Sequence, residues 1–383
     1  MVTPELLERL RHALADDGLQ PTPTRVASAL RAEGEVLDHA AVLDVVDTLR
    51  RDTTGAGPLE PLLRDPDVTD VVVNGAGAVY VDRGAGLEPT AITFPDDDAV
   101  RRLAQRLAAV GSRRLDHASP YVDVRLRDGT RCHAVLAPIA RPGTAISLRV
   151  SGRRTFTLEE LVACRTVSPG GAQLLQTLID SRAAFLVTGG TGSGKTTLLA
   201  TMLGLVDPGE RLVVVEDSSE LRPDHPHVVG LEARPANVEG SGTVTLRDLV
   251  RQALRMRPDR LIVGEVRGAE VVDLLAAMNT GHEGGCGTVH ANSAAELPAR
   301  MEALGVAAGL SREALHSQLT AAVDVVVHVV RPRTGARYVR ELAVVRPGLD
   351  HLVRADPAVT FAPDGTARHG PAAAQLDTIL SRA

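Results

Sequence analysis

Aromatic residues are nearly missing from this chain. Of its 383 residues none is tryptophan, three are tyrosine and four are phenylalanine. A core therefore has to be assembled from Leu, Val, Ile and Ala. Recognition of single-stranded nucleic acid by base stacking, which needs exposed aromatic faces, has little to work with. Cysteine is equally scarce. Cys132, Cys164 and Cys286 are odd in number, scattered and without C-x-x-C spacing. That argues against a disulfide scaffold or a cysteine zinc site and fits a reducing cytoplasm. Long apolar runs are absent too: stretches such as 261–263 and 325–330 fall far short of the ~20 residues a membrane span requires. Residues 1–10 carry Glu5, Glu8 and Arg9 and no apolar core, so no signal peptide is expected. Excess positive charge is lacking. The formal net charge of −6 gives no bulk attraction to nucleic acid or to an anionic membrane. The last absence is the most specific. Lysine and arginine together number 42, and Lys195 is the single lysine. A bias toward arginine spared one position, so a compact ammonium has a task there that a planar guanidinium cannot perform.

The composition that remains is ordinary. Hydrophobic residues at 44% and charged residues at 23% exclude a collagen-like, low-complexity or wholly disordered chain. Residues 1–54 read as a short helical N-terminal extension, with Leu6, Leu7, Leu10 and Leu14, then Val42, Val45, Val46 and Leu49, at helical spacing. A turn-rich stretch from Asp52 to Pro58 ends it. Residues 55–150 read as an α+β N-terminal domain. Its strands fall at 68–73, 79–82, 121–126 and 131–136, with an Asp128-Gly129 hairpin signal and a helix at 100–110. Residues 151–160 read as a linker. From 161 to 346 strands (184–188, 211–215, 260–263, 287–290) alternate with helices (195–205, 245–255, 269–278). That is the pattern of a mostly parallel α/β sheet covered by helices. An added hairpin, 323–330 with 337–345, follows, and 347–383 reads as a C-terminal tail.

Gly189-Gly190-Thr191-Gly192-Ser193-Gly194-Lys195-Thr196 fits G-x-x-x-x-G-K-[ST] in full, between an apolar strand and a helix-forming run. The glycines let successive amides curl around phosphate oxygens, and the helix N-terminus adds partial positive charge. Lys195 is expected to reach the β- and γ-phosphates and Thr196 to place its hydroxyl on Mg²⁺, with Thr197 completing the loop. Two further strands end in acids. Leu212-Val213-Val214-Val215 leads to Glu216 and Asp217, with Glu220 following. Leu261-Ile262-Val263-Gly264 leads to Glu265. Ligands in open parallel sheets sit beyond the carboxyl ends of strands. Many phosphate-loop enzymes have Asp-Glu at the second position. Here Gly264 replaces the Asp, so Glu265 is the candidate general base and Glu216 or Asp217 the candidate metal donor.

The segment 281–292 places His282 and His290 around a Gly-rich strand start. Sensing the γ-phosphate, a structural role, or metal binding without any HExxH spacing are the readings open for them. Cys286, between them, reads as a small apolar residue or a reactive thiol. Arg247, Arg251 and Arg255, with Arg257 and Arg260 after them, could be a solvated face, an inter-subunit contact or a DNA-tracking stripe. No arginine finger is evident beside the phosphate loop. Arg131 or Arg149, from the α+β domain of this or another subunit, could supply transition-state charge.

These residues, taken in order as GGTGSGKTT, VVVEDSSEL, RMRPDRLIVGEVRG and GHEGGCGTVHANS, resemble the type II/type IV secretion ATPase superfamily. The nearest likeness is to its CpaF-like branch, associated with tight-adherence (Flp) pili or conjugal transfer. The upstream segments GPLEPLLRDPDVTDVVVNG and SPYVDVRLRDGTRCHAVLAP follow the same branch, so the likeness spans about residues 55–345. The resemblance implies a RecA-like P-loop NTPase core with a separate α+β N-terminal domain, acting as an ATP- and Mg²⁺-dependent hexameric motor. It implies a cytoplasmic position at the inner face of the inner membrane, where the motor drives a platform protein of a pilus or secretion system, with no direct nucleic-acid contact. By matching motifs it assigns Lys195 and Thr196 to phosphate and Mg²⁺, and Glu216 and Asp217 to the Asp box. It assigns Glu265 to catalysis, His282 and His290 to the His box, and Arg131 and Arg149 to N-domain arginines that reach the nucleotide. An ATPase of the RecA or conjugation type acting on nucleic acid is the alternative.

Overall fold

The computed structural model describes residues 6, 9–10, 22–35, 38, 41–43, 45–46, 55–84, 86–126, 128–150, 155–236, 240–279, 283–332, 336–349 and 351–382. The chain divides into two compact units, Met1–Arg153 and Arg154–Ala383.

In the first unit, helix α1 (Pro23–Ala32) starts where the Thr22 side chain accepts the Arg25 amide and proline occupies the first turn. Val26 and Leu30, one turn apart, are buried with Leu6, Leu10, Val42, Val45 and Val46. The helical spacing expected at Leu7, Leu14 and Leu49 lies outside the described residues. Next come α2 (Glu60–Arg64), β1 (Asp70–Asn74), β2 (Val79–Asp82), β3 (Leu87–Pro89), α3 (Asp97–Val110), β4 (Tyr121–Arg125), β5 (Arg131–Val135) and β6 (Ala145–Arg149). The strands form an antiparallel sheet in the order β3-β2-β1-β6-β5-β4. Alternation buries Val71, Val73, Cys132, Ala134, Ile146 and Leu148 on one face. There they meet Val100, Leu103, Ala104 and Leu107 from the apolar stripe of α3. Asp96 caps that helix by accepting the Ala99 amide at 2.7 Å. The other sheet face carries Arg125, Arg131 and Arg149.

The second unit contains α4 (Leu158–Ala163), α5 (Pro169–Asp180), β7 (Phe185–Gly189), α6 (Lys195–Leu203), β8 (Leu212–Glu216), β9 (Val228–Glu232), α7 (Leu246–Ala253), β10 (Arg260–Val263), α8 (Glu270–Met278) and β11 (Cys286–His290). It continues with α9 (Leu297–Ala307), α10 (Arg312–Ala322), β12 (Val325–Val330), β13 (Tyr338–Pro347), β14 (Val353–Phe361), β15 (Ala367–His369) and α11 (Ala373–Leu380). Nine strands form one sheet in the order β15-β14-β13-β12-β7-β11-β10-β8-β9. The six from β12 to β9 are mutually parallel, and β13 to β15 extend the sheet antiparallel. Both faces of the central strands are buried, as their near-continuous Val/Leu/Ile runs require. Truncating a fully buried member such as Leu186 or Leu261 to Ala should cost about 2–5 kcal/mol.

Two readings of the sequence change here. The stretch 347–383, set apart as a tail, builds core: β14 pairs with β13 over seven residue pairs, and Val359, Phe361, Leu376 and Ile379 pack into the main cluster. Pro357 and the register shift beside it break the alternation by which β14 would have been read as a strand. The expected linker 151–160 gives way to α4 from Leu158, where Thr157 and Glu160 form a reciprocal capping box. Leu158 and Leu161 are buried there. Among the described residues no helix is long and apolar enough to cross a membrane.

Candidate active site

The parallel strands end along one edge of the sheet, and the motif residues gather there. Between β7 and α6 the chain turns on Gly189 (φ +158°), Gly192 (φ +68°) and Gly194 (φ +98°). The last two are left-handed conformations that favour glycine. A Cβ on Gly189 would also lie 2.3 Å from the Val329 carbonyl oxygen, so strand packing demands glycine there as well. α6 begins at Lys195 without a side-chain cap, so the partial positive charge of its N-terminus lies at the loop. The Lys195 side chain is buried, and Nζ donates to the carbonyls of Gly189 and Gly190, both at 3.1 Å. Thr191 and Thr197 are exposed and Thr196 is half-buried at the first turn. Gly190 faces open space. Ser193 Oγ is buried and finds no partner among the described residues. An ammonium resting on loop carbonyls and an orphaned buried hydroxyl are groups that a polyphosphate would satisfy. The donor set fits a nucleotide.

Strand register explains the company this loop keeps. His290, the last residue of β11, pairs with Gly189. Its ring nitrogens both lie 3.4 Å from Lys195 Nζ. On the other side His290 Nε2 is 2.8 Å from Glu265 Oε1, an ion-pair approach without hydrogen-bond alignment. Burial first, then the Lys195 charge, lowers the His290 pKa below its ordinary value, so the imidazole is neutral at neutral pH. Glu265 Oε2 accepts from Arg267 Nη2. Glu265, Asp217 and Glu220 all raise the Arg267 pKa, so one guanidinium sits in the field of three carboxylates.

Gly264 acquires a steric reason. A Cβ there would lie 2.5 Å from Glu216 Cγ and 2.9 Å from its Oε1. The Glu216 side chain from β8 fills the space that an Asp at 264 would need. Glu216 is buried, and Oε1 accepts the amides of Glu220 (3.0 Å) and Leu221 (2.9 Å). Burial outweighs those two donors and pushes its pKa up to about 7. Asp217 is the exposed carboxylate of the pair.

His282 lies outside the described residues. Cys286 is fully buried, and its thiol is pushed up to about 12, which favours the small apolar reading over a reactive one. Arg131 and Arg149 belong to the first unit, where they are direct cross-strand partners, with Arg125 opposite Arg131 in the next strand. Asp123 lies 3.6 Å from Arg131. The expected arginine stripe is divided. Arg247 and Arg251 both donate to Asp273 of α8, at 2.6 and 2.8 Å. Arg260 is buried at the opposite strand end against Glu210, with Nε donating at 2.8 Å and Nη2 at 3.1 Å.

Three residues escaped the sequence reading. His328, buried in β12, has Nδ1 2.8 Å from Thr188 Oγ1 beside the start of the loop. Burial lowers its pKa to about 4. A histidine inside the run VVVHVV was the available signal. Arg337, before β13, donates to the Gly192 carbonyl at 3.0 Å, and Arg331, after β12, has Nη1 3.6 Å from where a Cβ on Gly192 would lie.

Comparison with known proteins gives three kinds of match. The family described as type II/IV secretion system protein matches residues 52–366. A Mycobacterium tuberculosis protein named for conjugal transfer is 58% identical over 317 residues, which is 81% of this chain and 90% of that protein. Conjugal transfer protein TrbB of Rhizobium radiobacter is 32% identical over 285 residues, 73% of this chain and 84% of its own. Among solved structures, the Legionella pneumophila ATPase DotB shares the fold, with a TM-score of 0.52 at 17% identity over 85% of each chain.

Proposed function

Because the chain belongs to the type II/IV secretion system protein family, as its motif order implied, we propose that it is the hexameric ATP-driven motor of a pilus or secretion apparatus. Its core is a RecA-like ATPase sheet with a separate α+β N-terminal unit, and it is an ATPase. One observation carries the reading: Lys195, His290 and Glu265 form a continuous contact chain from the phosphate loop to the candidate base.

In that arrangement Lys195 leaves the loop carbonyls for the β- and γ-phosphates. Glu265 orients the attacking water and receives its proton as phosphorus–oxygen bond cleavage proceeds. His290, lying between Lys195 and Glu265, offers its one N–H toward the γ-phosphate. Thr196, with the exposed Asp217, would hold Mg²⁺, which when bound would supply positive charge to the phosphate chain, while Glu216, buried and bonded to two amides, braces the turn that carries Asp217. Arg131 or Arg149 is the candidate source of transition-state charge, as the motif match implies. The motor is expected at the cytoplasmic face of the inner membrane, acting on a platform protein. Glu265→Gln in the full-length chain tests the chemistry: ATP binding should persist while phosphate release stops. Normal turnover would remove Glu265 from the role.

The conjugal-transfer names of the relatives favour a second reading, a conjugation ATPase acting on nucleic acid. DNA-stimulated turnover with steep salt dependence would support it. The net charge of −6 and the capture of Arg247 and Arg251 by Asp273 point away from it.

A further inference from the structure

Two arginines flanking the β12–β13 connection lie beside the phosphate loop. Arg337 Nε donates to the Gly192 carbonyl at 3.0 Å. Its Cδ would lie 3.4 Å from a Cβ placed on Gly194. Arg331 Nη1 would lie 3.6 Å from a Cβ placed on Gly192. Two guanidiniums thus flank the loop edge formed by Gly192 and Gly194, and the absence of side chains at those glycines brings them close. Lys195 approaches the same loop at Gly189 and Gly190. Cations therefore lie at both ends of the loop. Arg331 is exposed and Arg337 half-buried.

We propose that Arg331 and Arg337 are nucleotide-binding residues. Contributed in cis by the β12–β13 turn, they supply positive charge to the phosphate chain of a nucleoside di- or triphosphate seated in the loop. The proposal rests on the nucleotide reading above and adds a third side of charge to that site. Guanidiniums bind phosphate through charge-assisted hydrogen bonds, which are about twice as strong as neutral ones. The Arg337–Gly192 bond keeps one guanidinium at the loop edge before ligand arrives, so little side-chain entropy remains to be lost on binding.

Calorimetric titration of Mg–ADP into the full-length chain tests this without depending on hydrolysis. R331A/R337A is expected to weaken binding by at least about tenfold, the scale of one charge-assisted hydrogen bond. The dependence of affinity on salt should also become shallower, because two screened charges are gone. R337K should restore most of the affinity and R337Q should not. Wild-type affinity in the double variant, an unchanged salt slope, or full rescue by R337Q would overturn the proposal and leave only a loop tie. If the double variant fails to fold, R331A alone, at an exposed position, carries the same expectation at smaller size. Wild-type protein that binds no Mg–ADP would instead overturn the nucleotide reading itself, so the two failures are distinct.

Discussion

Glu216 and Glu265 stand at the ends of neighbouring parallel strands, with Val215 and Val263 in register before them. The same functional group meets opposite surroundings. Glu216 is sealed against Gly264, accepts two backbone amides through one oxygen, and has its pKa pushed up to about 7 by burial. Glu265 faces side chains on both oxygens, Arg267 on one and His290 on the other. Glu216 braces the turn that carries Asp217 and Glu220, whereas Glu265 meets Arg267 and His290, the strand partner of Gly189. Environment rather than residue type divides the roles, and the glycine at 264 makes the division sterically possible.

The largest effect that would test this contrast is on turnover. Glu265→Gln should lower phosphate release by about 10²–10⁴-fold, the usual weight of a positioned general base. Glu216→Gln should lower it far less. Equal losses in steady-state assays would erase the distinction. Next is stability. Gly264→Ala should cost about 1–3 kcal/mol by overpacking against Glu216, read by chemical denaturation. Adding Glu216→Ala should relieve part of that loss, and purely additive costs would break the steric link. The smallest effect is on pH dependence. The folded-state pKa of Glu216 lies above its ordinary 4.5. Its contribution to stability is therefore complete below that value and is lost as pH rises through about 7. Nucleotide-free wild type should lose melting temperature relative to Glu216→Gln as pH rises from acidic to mildly alkaline. A pH-independent difference would place Glu216 in a solvated setting.

The glycine turn at 189–194 was legible in the sequence because backbone geometry dictates its spacing, and the lone lysine marked where α6 begins. The acidic strand ends were legible from hydrophobic runs followed by carboxylates. That Gly264 replaced an Asp was visible, but the reason lies on another strand, 48 residues earlier. β14 was hidden because Pro357 interrupts its alternation, which made core look like tail. The β12–β13 hairpin was legible as a hairpin. The reach of Arg331 and Arg337 to the loop was not, since β12 comes to lie beside β7 only through the parallel pairing of Val325 with Phe185. Arg260, read with a surface stripe, is buried because Glu210 comes from a distant turn to meet it.

Titration of Mg–ATP into wild type and Lys195→Ala by calorimetry tests most directly whether this edge of the sheet grips a triphosphate. Wild type should saturate, and removal of the chain's single ammonium should weaken binding by about tenfold or more. Absence of binding by folded wild type, or undiminished affinity in Lys195→Ala, would contradict it.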